Sequence, residues 1–318
     1  MTEGASRSPT PVLRQADLDE LNLVTSGAGP GATTGEMMAA IVASSVLRLF
    51  EQVPLLPHGI DNEAVHQARV ATRRLRSDMR TFRTLFDEGW AEVLRAELSW
   101  LADLLGQVRD ADVLVDRMIA TLADIDGAPT GRRVVLQALA ARRAAARSHM
   151  LDGMAQPRYA ALLADLVQAS RSPTLSGLAD EPAGEALPGF AARPWRKLHH
   201  AVGRLGENPS DDDLHAVRIA AKRARYAAEA VEPVVGPRAR RYAAAVAELQ
   251  GALGDYHDAV VARQWLAEIT PGLRRGGAFY TKALSERELA RGVAALGQWE
   301  VAWKRASRRR LRSWMSDD

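Results

Sequence analysis

The 318-residue chain contains no cysteine, which excludes disulfide bonds, thiolate metal sites and a cysteine nucleophile. Aromatic residues are scarce at 5%, whereas alanine is abundant and hydrophobic residues make up 47% of the chain. This composition suits closely packed helices more than sheets, and it is sufficient for a real hydrophobic core. No segment alternates apolar and polar residues as a strand would. The sequence therefore predicts an all-α fold.

Several other features are missing as well. Charged residues interrupt every apolar run before the ~20 residues that span a bilayer, and the N-terminus lacks the pattern of a secretory signal. We therefore expect a cytoplasmic protein. The seven histidines form no H-E-x-x-H or other recognised metal spacing, and no glycine-rich phosphate loop with a lysine is present. We expect no metal, no cofactor and no catalysis.

The net charge is only +3, but the cations are concentrated on particular helices. Glu63–Arg83 has the sequence EAVHQARVATRRLRSDMRTFR, without glycine or proline, and is predicted as one helix. At about 100° per residue, four arginines fall within a stripe roughly 80° wide that starts at His66. This first ladder consists of His66, Arg69, Arg73, Arg76 and Arg80.

A second ladder follows at a constant offset of 149 residues, in Leu214–Tyr226 (LHAVRIAAKRARY). The matched residues are His66 and His215, Arg69 and Arg218, Val70 and Ile219, Arg73 and Lys222, Arg74 and Arg223, and Arg76 and Arg225. Arg48 matches Lys197 at the same offset. After each ladder comes a shared stretch, LLGQVRDADV at Leu104–Val113 and ALGDYHDAVV at Ala252–Val261, which aligns Arg109 with His257. The chain is therefore predicted to be an internal duplication, since this period is too long for a solenoid of small repeats.

The duplication and the turn-forming residues together predict the domain boundaries. A flexible leader covers residues 1–33, a first helical bundle 34–171, a linker rich in proline and glycine 172–189, and a second bundle 190–318. Each half is expected to be a four-helix-type bundle. Gly106 and the Gly251–Gly254 region are expected to end helices. Asp61 is expected to cap the first ladder helix, and Ser210 with Asp213 to form a capping box on the second.

Each ladder places like charges three and four residues apart, where they repel one another. A single such stripe is usually a solvated face or a set of intramolecular salt bridges. Two copies in one chain favour a shared ligand that is long, highly charged and repetitive. Arginine offers planar forks that suit phosphate oxygens, and lysine offers a point charge.

The duplicated pattern H-x-x-R-[VI]-A-x-[RK]-R-x-R, followed each time by L-G-x-x-[RH]-D, resembles the CHAD domain, the conserved histidine α-helical domain. The resemblance covers about Gly35–Met315. It implies two helical bundles related by a pseudo-twofold axis, which bind inorganic polyphosphate in a basic central groove and are not established enzymes. Family members often follow a catalytic CYTH domain, which the short leader is not expected to contain. Association with polyphosphate granules is implied by the family alone.

The resemblance assigns polyphosphate contacts by matching position. They are Arg48, His66, Arg69, Arg73, Arg74, Arg76, Arg80 and Arg109 in the first half, and Lys197, His215, Arg218, Lys222, Arg223, Arg225 and His257 in the second. Arg74 and Arg223 lie off the stripe, so each either binds at the groove margin or pairs with a carboxylate. The histidines either contact ligand or only pack. Glu229 replaces the counterpart of Arg80, which predicts stronger binding by the first half.

Two other functions stay open at this point. The basic faces also suit nucleic acid or polyanions in general, although few aromatic residues lie among the ladder cations for base stacking. A metal-dependent polyphosphate hydrolase is the second alternative. The C-terminal segment Trp303–Trp314 (WKRASRRRLRSW) is either a basic helix end, an extension of the polyphosphate surface, or a patch for nucleic acid or anionic membrane.

Overall fold

The computed structural model describes residue 21, residues 24–25, residues 28–58 and residues 62–315. Helices make up 84% of the described residues, which also form two isolated β-bridges but no strand. The predicted all-α fold is confirmed. Most of the expected leader, and the expected cap Asp61, lie outside the described residues.

Nine helices of more than eight residues account for most of the described chain. They are α1 (Thr34–Gln52), α2 (Asn62–Thr81), α3 (Glu88–Leu122), α4 (Pro129–Met154), α5 (Pro157–Arg171), α6 (Ala183–Gly203), α7 (Asp211–Ala230), α8 (Pro237–Ile269) and α9 (Arg275–Ala306). The first ladder lies on α2 and the second on α7. The predicted capping box of α7 is confirmed, because the Ser210 hydroxyl accepts from the Asp213 N–H and the Asp213 carboxylate accepts from the Ser210 N–H.

Two predicted helix ends are wrong. Gly106 lies inside α3, and Gly251 and Gly254 lie inside α8. A glycine in a helix interior costs only about 1 kcal/mol relative to alanine. Burial on both sides of the glycine outweighs that cost, since Leu105 and Val108 are fully buried around Gly106.

The predicted linker, residues 172–189, is also divided differently. Residues 183–189 form the first turns of α6, which contains Pro188 and Pro194 in its interior. Proline removes a backbone donor and usually ends a helix. Here Leu187, Ala191 and Trp195 are buried along the same face, so packing holds the segment helical.

The residues before α6 are held by backbone hydrogen bonds. The N–H groups of Thr34 and Gly35 donate to the carbonyls of Glu181 and Ala179, both at 2.8 Å. The Asp87 N–H donates to the Thr174 carbonyl at 3.0 Å. These bonds tie the segment to the start of α1 and to the turn before α3.

The chain divides into two compact units. Unit 1 comprises the described residues up to Arg109 together with Ala146–Pro182, and unit 2 comprises Asp110–Ala145 with the described residues from Ala183 onward. The units therefore differ from the two halves that the repeat predicts, because residues 110–145 group with the second half. Helices α3 and α4 each contribute to both units.

Unit 1 is built around α1, which packs against α2 and α5. The side chains of Met37, Val42 and Val46 on α1 and of Leu75 and Met79 on α2 are almost completely buried. The apolar side of α2 is thereby fixed in the core. Its ladder residues are left on another side of the helix.

Unit 2 has α8 as its central helix, packed against α7 and α9, and α7 also packs against α6. One core cluster joins residues of the second half of α3, of α4, α8 and α9, including Met118, Val135 and Leu284. Beside it lies an ionic cluster around Glu288, which is fully buried. Its carboxylate accepts from Arg117 at 2.5 Å and from Arg291 at 2.7 Å.

Candidate functional site

The first ladder occupies one side of α2 in unit 1. Ala68, Leu75 and Met79 are buried on the core side of this helix. The ladder side chains are partly exposed: His66, Arg69, Arg73 and Arg76 are half-buried and Arg80 is exposed. The helix therefore presents a row of cations whose stems are packed and whose heads can meet solvent or ligand.

Two of the residues shared after each ladder lie beside the cations of α2. A Cβ atom on Gly106 would lie 3.5 Å from Nε and 3.6 Å from Nη2 of Arg69, so the Arg69 guanidinium lies against the backbone of α3. Arg109, three residues further along α3, lowers the pKa of His66, second only to burial. Arg69 and Arg73 lower it further. His66 therefore sits in a positive field and is held neutral near pH 7.

Sequence reasoning missed Arg95. This half-buried residue of α3 has its pKa lowered first by burial and then by the charges of Arg80 and Arg76. It thus extends the end of the ladder with a cation from a second helix. The repeat gives no signal for it, since the matching residue of the second half is Ala243.

The second ladder lies on α7 in unit 2. All of its cationic members are half-buried, namely Arg218, Lys222, Arg223 and Arg225. Arg218 is arranged as Arg69 is in unit 1, because a Cβ atom on Gly254 would lie 3.9 Å from its Nε. In each unit, then, the glycine of the shared stretch adjoins the same ladder arginine.

The position of Arg109 is taken in unit 2 by His257, and it contacts the ladder histidine. The Nδ1 atoms of His215 and His257 lie 3.3 Å apart, and the ring centroids 4.5 Å apart. Burial lowers the pKa of His257 to about 4, with further lowering by Arg218, His215 and Lys222 and an opposing effect of Asp211. Burial, Arg218 and Lys222 also lower the pKa of His215. Both rings are neutral at pH 7 in the free protein.

Asp258 lies next to this histidine pair in sequence. Burial raises the pKa of its carboxyl, and the charges of Arg218 and Arg117 oppose that rise. The Asp258 carboxyl therefore lies within the electrostatic influence of a ladder arginine, Arg218. Its counterpart in the repeat, Asp110, is exposed.

Two of the predicted site residues pair with carboxylates, and two others are exposed on the helices that precede the ladders. Arg74 Nε lies 3.9 Å from the buried carboxylate of Asp78. Arg225 Nε donates to Glu229 at 2.6 Å, so the residue that replaces the counterpart of Arg80 also engages a neighbouring ladder arginine. Arg48 is exposed on α1, which precedes the ladder helix. Its match Lys197 is likewise exposed, on α6.

The basic C-terminal segment is anchored by aromatic residues in unit 2. Trp303 stacks on Trp195 with ring centroids 5.7 Å apart, and the Arg312 guanidinium lies 4.8 Å from the Trp195 ring centroid. Arg305 donates to both oxygens of Glu248 at 2.8 and 2.6 Å. Two of the six cations in Trp303–Trp314 therefore have a structural role, whereas Arg308, Arg309, Arg310 and Lys304 are exposed.

The described residues contain neither a cluster of metal ligands nor a membrane span. In the described ranges, no three His, Cys, Asp or Glu residues lie close enough together to hold a metal ion. None of the described helices is both long and apolar enough to cross a bilayer.

Comparison with known proteins identifies the family. The family model of the CHAD domain matches residues 40–267, which is more than half of the chain. The chain belongs to the CHAD domain family. Two solved structures share the fold, PptA from Streptomyces chartreusis and the CHAD domain from the plant Ricinus communis. PptA has a TM-score of 0.73 and 22% sequence identity, and the match covers 86% of this chain and 100% of PptA. The plant CHAD domain has a TM-score of 0.71 and 23% identity over 96% of this chain and 97% of its own.

Curated relatives of this CHAD protein are longer. Two uncharacterised proteins of Mycobacterium tuberculosis, from strains H37Rv and CDC 1551, are each 30% identical over 213 residues. The alignment covers 65% of this chain and 40% of the relatives, so the chain spans less than half of their length.

Chemically, each ladder of this CHAD domain is suited to bind anions. Guanidinium groups donate several hydrogen bonds in a fixed plane and stay charged at all physiological pH values. An anion bound beside the neighbouring histidines would favour their protonated form.

Proposed function

We propose that this CHAD domain binds inorganic polyphosphate through the two ladders, without catalysing its cleavage. The observation that supports this best is the positive field in both units. In unit 1 burial and then the charges of Arg109, Arg69 and Arg73 lower the pKa of His66, and Glu63 opposes them. In unit 2 burial and then Arg218 and Lys222 lower the pKa of His215, and Asp212 opposes them. An ordinary bundle does not need such a field, because like charges three and four residues apart destabilise a helix.

Polyphosphate suits this field better than a compact anion does. It is a flexible chain with a negative charge on every unit, so one molecule can neutralise several successive cations of a helix. Binding would release counterions, as nucleic acids do when they bind proteins, and affinity would fall steeply with salt. The family resemblance implies the same ligand. Association with polyphosphate granules in the cytoplasm is part of this proposal.

Nucleic acid is the competing ligand. Proteins that bind single strands without sequence preference stack bases on exposed aromatic rings. The α2 ladder has no aromatic residue between His66 and Arg80. On α7, the ring of Tyr226 is half-buried and lies 5.9 Å from the Arg225 guanidinium carbon. The ladders therefore favour a ligand that is recognised by charge alone.

The proposal is tested with a charge-reversal variant of unit 1, Arg73→Glu with Arg76→Glu. Both side chains are half-buried on the ladder side of α2, away from the core. Long-chain polyphosphate binding by this variant should fall by at least tenfold at moderate salt, while the helical circular dichroism signal is retained. The matched control, Arg274→Glu with Arg275→Glu, reverses two exposed arginines at the start of α9.

If the ladder variant binds as well as the control, the ladders are solvated faces and the proposal fails. The absence of catalysis is tested separately. Incubation of wild-type protein with polyphosphate and Mg²⁺ or Mn²⁺ should release no phosphate above background, and steady release would show a hydrolase.

A further inference from the structure

A second row of basic residues lies on α6, the helix that precedes the α7 ladder. At about 100° per residue, four of its members fall within roughly 60° on one side of the helix, with the fifth at the edge. We call this row the α6 stripe. It consists of Arg193, Arg196, Lys197, His200 and Arg204, which immediately follows the helix, and all five side chains are exposed.

The α6 stripe differs from an ordinary solvated helix face. Solvated faces usually place opposite charges four residues apart. Here Arg193 and Lys197 are a like-charged pair at that spacing, and the one acidic residue of α6 is Glu185 in the first turn. Among the residues that the structure describes, none forms an ion pair with a member of the stripe. Hydrogen bonds with Ser210 are the first cause of the lowered pKa of Asp213, and the charge of Arg204 also lowers it.

The duplication does not explain the stripe. The residues that match it in the first half are Ser44, Leu47, Arg48, Glu51 and Leu55. Only one of these is a cation, so the other cations of the stripe belong to the second half alone. That half has also lost a ladder cation, since Glu229 stands at the position that matches Arg80 and pairs with Arg225 at 2.6 Å.

Packing fixes the direction in which the stripe points. The opposite side of α6 is buried, with Leu187, Ala191 and Leu198 fully enclosed and Trp195 almost so. The helix packs directly against α7. From Arg193 to Arg204 the stripe extends for about 16 Å along the helix axis. It thus offers a line of charge to solvent on the immediate neighbour of the second ladder.

We infer that the α6 stripe is a second contact line for polyphosphate in unit 2, used by chains that are long enough to continue past the α7 ladder. This inference rests on the proposed function. Charge complementarity selects the ligand, because a continuous anion can neutralise successive exposed cations that form no ion pair in the described part of the chain. A short polyphosphate that is held by a ladder leaves the stripe unoccupied.

The test is a triple variant, Arg193→Gln, Arg196→Gln and Arg204→Gln, which removes three arginines from the stripe. The matched control removes the same charges from α9, in Arg274→Gln, Arg275→Gln and Lys282→Gln, where all three residues are exposed. Affinities for long-chain polyphosphate and for tripolyphosphate are measured by titration at several salt concentrations. All altered side chains are exposed, so both variants should keep the wild-type unfolding transition.

The stripe variant should bind long-chain polyphosphate at least tenfold more weakly than the control. The slope of log affinity against log salt concentration should become shallower by about 2, because each of the three lost contacts to a single-stranded chain contributes about 0.7. Its affinity for tripolyphosphate should match that of the control. Equal losses in the stripe variant and the control would overturn the inference, because they would report net charge alone. An equal loss for both ligands would also overturn it. If wild-type protein binds neither ligand, the proposed function itself fails.

Discussion

We predict that polyphosphate binding depends on pH through the histidine pair of unit 2. His215 and His257 face each other at 3.3 Å, and the pKa of His257 lies near 4 instead of its ordinary 6.5. A polyanion bound to the ladder would offset the charges of Arg218 and Lys222 that help to lower it. The complex would then take up a proton that the free protein does not hold, so affinity should rise as pH falls.

The size of the effect follows from the two pKa values. If bound ligand returns His257 to its ordinary pKa, affinity at pH 5.5 exceeds that at pH 7.5 by about tenfold, since one pKa unit corresponds to 1.36 kcal/mol. The rise begins near pH 6.5 and levels off near pH 4. The stability of the free protein changes with pH in the opposite direction. The pKa of His257 is lower in the folded protein than in the unfolded chain, so the stability present above pH 6.5 is lost as pH falls through 4.

Titrations with long-chain polyphosphate between pH 5 and pH 8 at constant ionic strength measure the effect. The variant His257→Gln should lose most of the rise in affinity at low pH. The variant His257→Arg installs the residue that unit 1 has at this position, Arg109, and should bind more tightly at pH 7.5 with a flatter profile. If wild type and His257→Gln have the same pH profile, His257 takes up no proton on binding and the reasoning is refuted.

Three further predictions concern single positions. Glu229→Arg should raise the affinity for polyphosphate severalfold in titrations and make that affinity more sensitive to salt, because it places an arginine at the position that matches Arg80 and removes the carboxylate that pairs with Arg225. Unchanged affinity would contradict the role of this position in binding. In urea denaturation, Gly131→Ala should lower the free energy of unfolding by about 3 kcal/mol, because the new Cβ atom would lie 2.3 Å from the backbone oxygen of Gly276. Gly251→Ala should raise the free energy of unfolding by about 0.5–1 kcal/mol, because Gly251 lies inside α8 and has open space around its Cβ position. Arg117→Met should cost about 3 kcal/mol by the same assay, because it leaves a fully buried carboxylate with one partner fewer; a neutral effect would refute that role.

The sequence was sufficient to predict the helical fold and the ladder helices, because both depend on local patterns. The cationic and apolar positions of α2 and α7 recur with the helical period, and the Ser210–Asp213 capping box is a signal four residues long. Such patterns are complete within a few turns of the chain. They need no knowledge of what the helix packs against.

The errors have a different origin. Gly106 and Pro188 are local signals for the end of a helix, but burial of neighbouring side chains in the folded core outweighs them. The grouping of residues 110–145 with unit 2 depends on packing with α8 and α9, which a repeat in sequence does not record. Arg95 joins the first ladder from a second helix, so no spacing along the chain indicates it.

Site details were likewise only partly predictable. The repeat identified Arg109 and His257 as equivalent positions, but it could not show that the latter contacts His215. It marked Glu229 as a departure from the pattern, and the structure adds that this residue pairs with Arg225. The α6 stripe lay outside the repeat except for Lys197, so comparison of the two halves did not reveal it.

The central claim, that the two ladders bind polyphosphate, is tested most directly by one titration of wild-type protein. Long-chain polyphosphate is added at low and at moderate salt, with duplex and single-stranded DNA as competitors at matched charge. The account predicts tight binding that weakens steeply with salt and that DNA does not displace. Ready displacement by DNA, or no binding at either salt concentration, would contradict it.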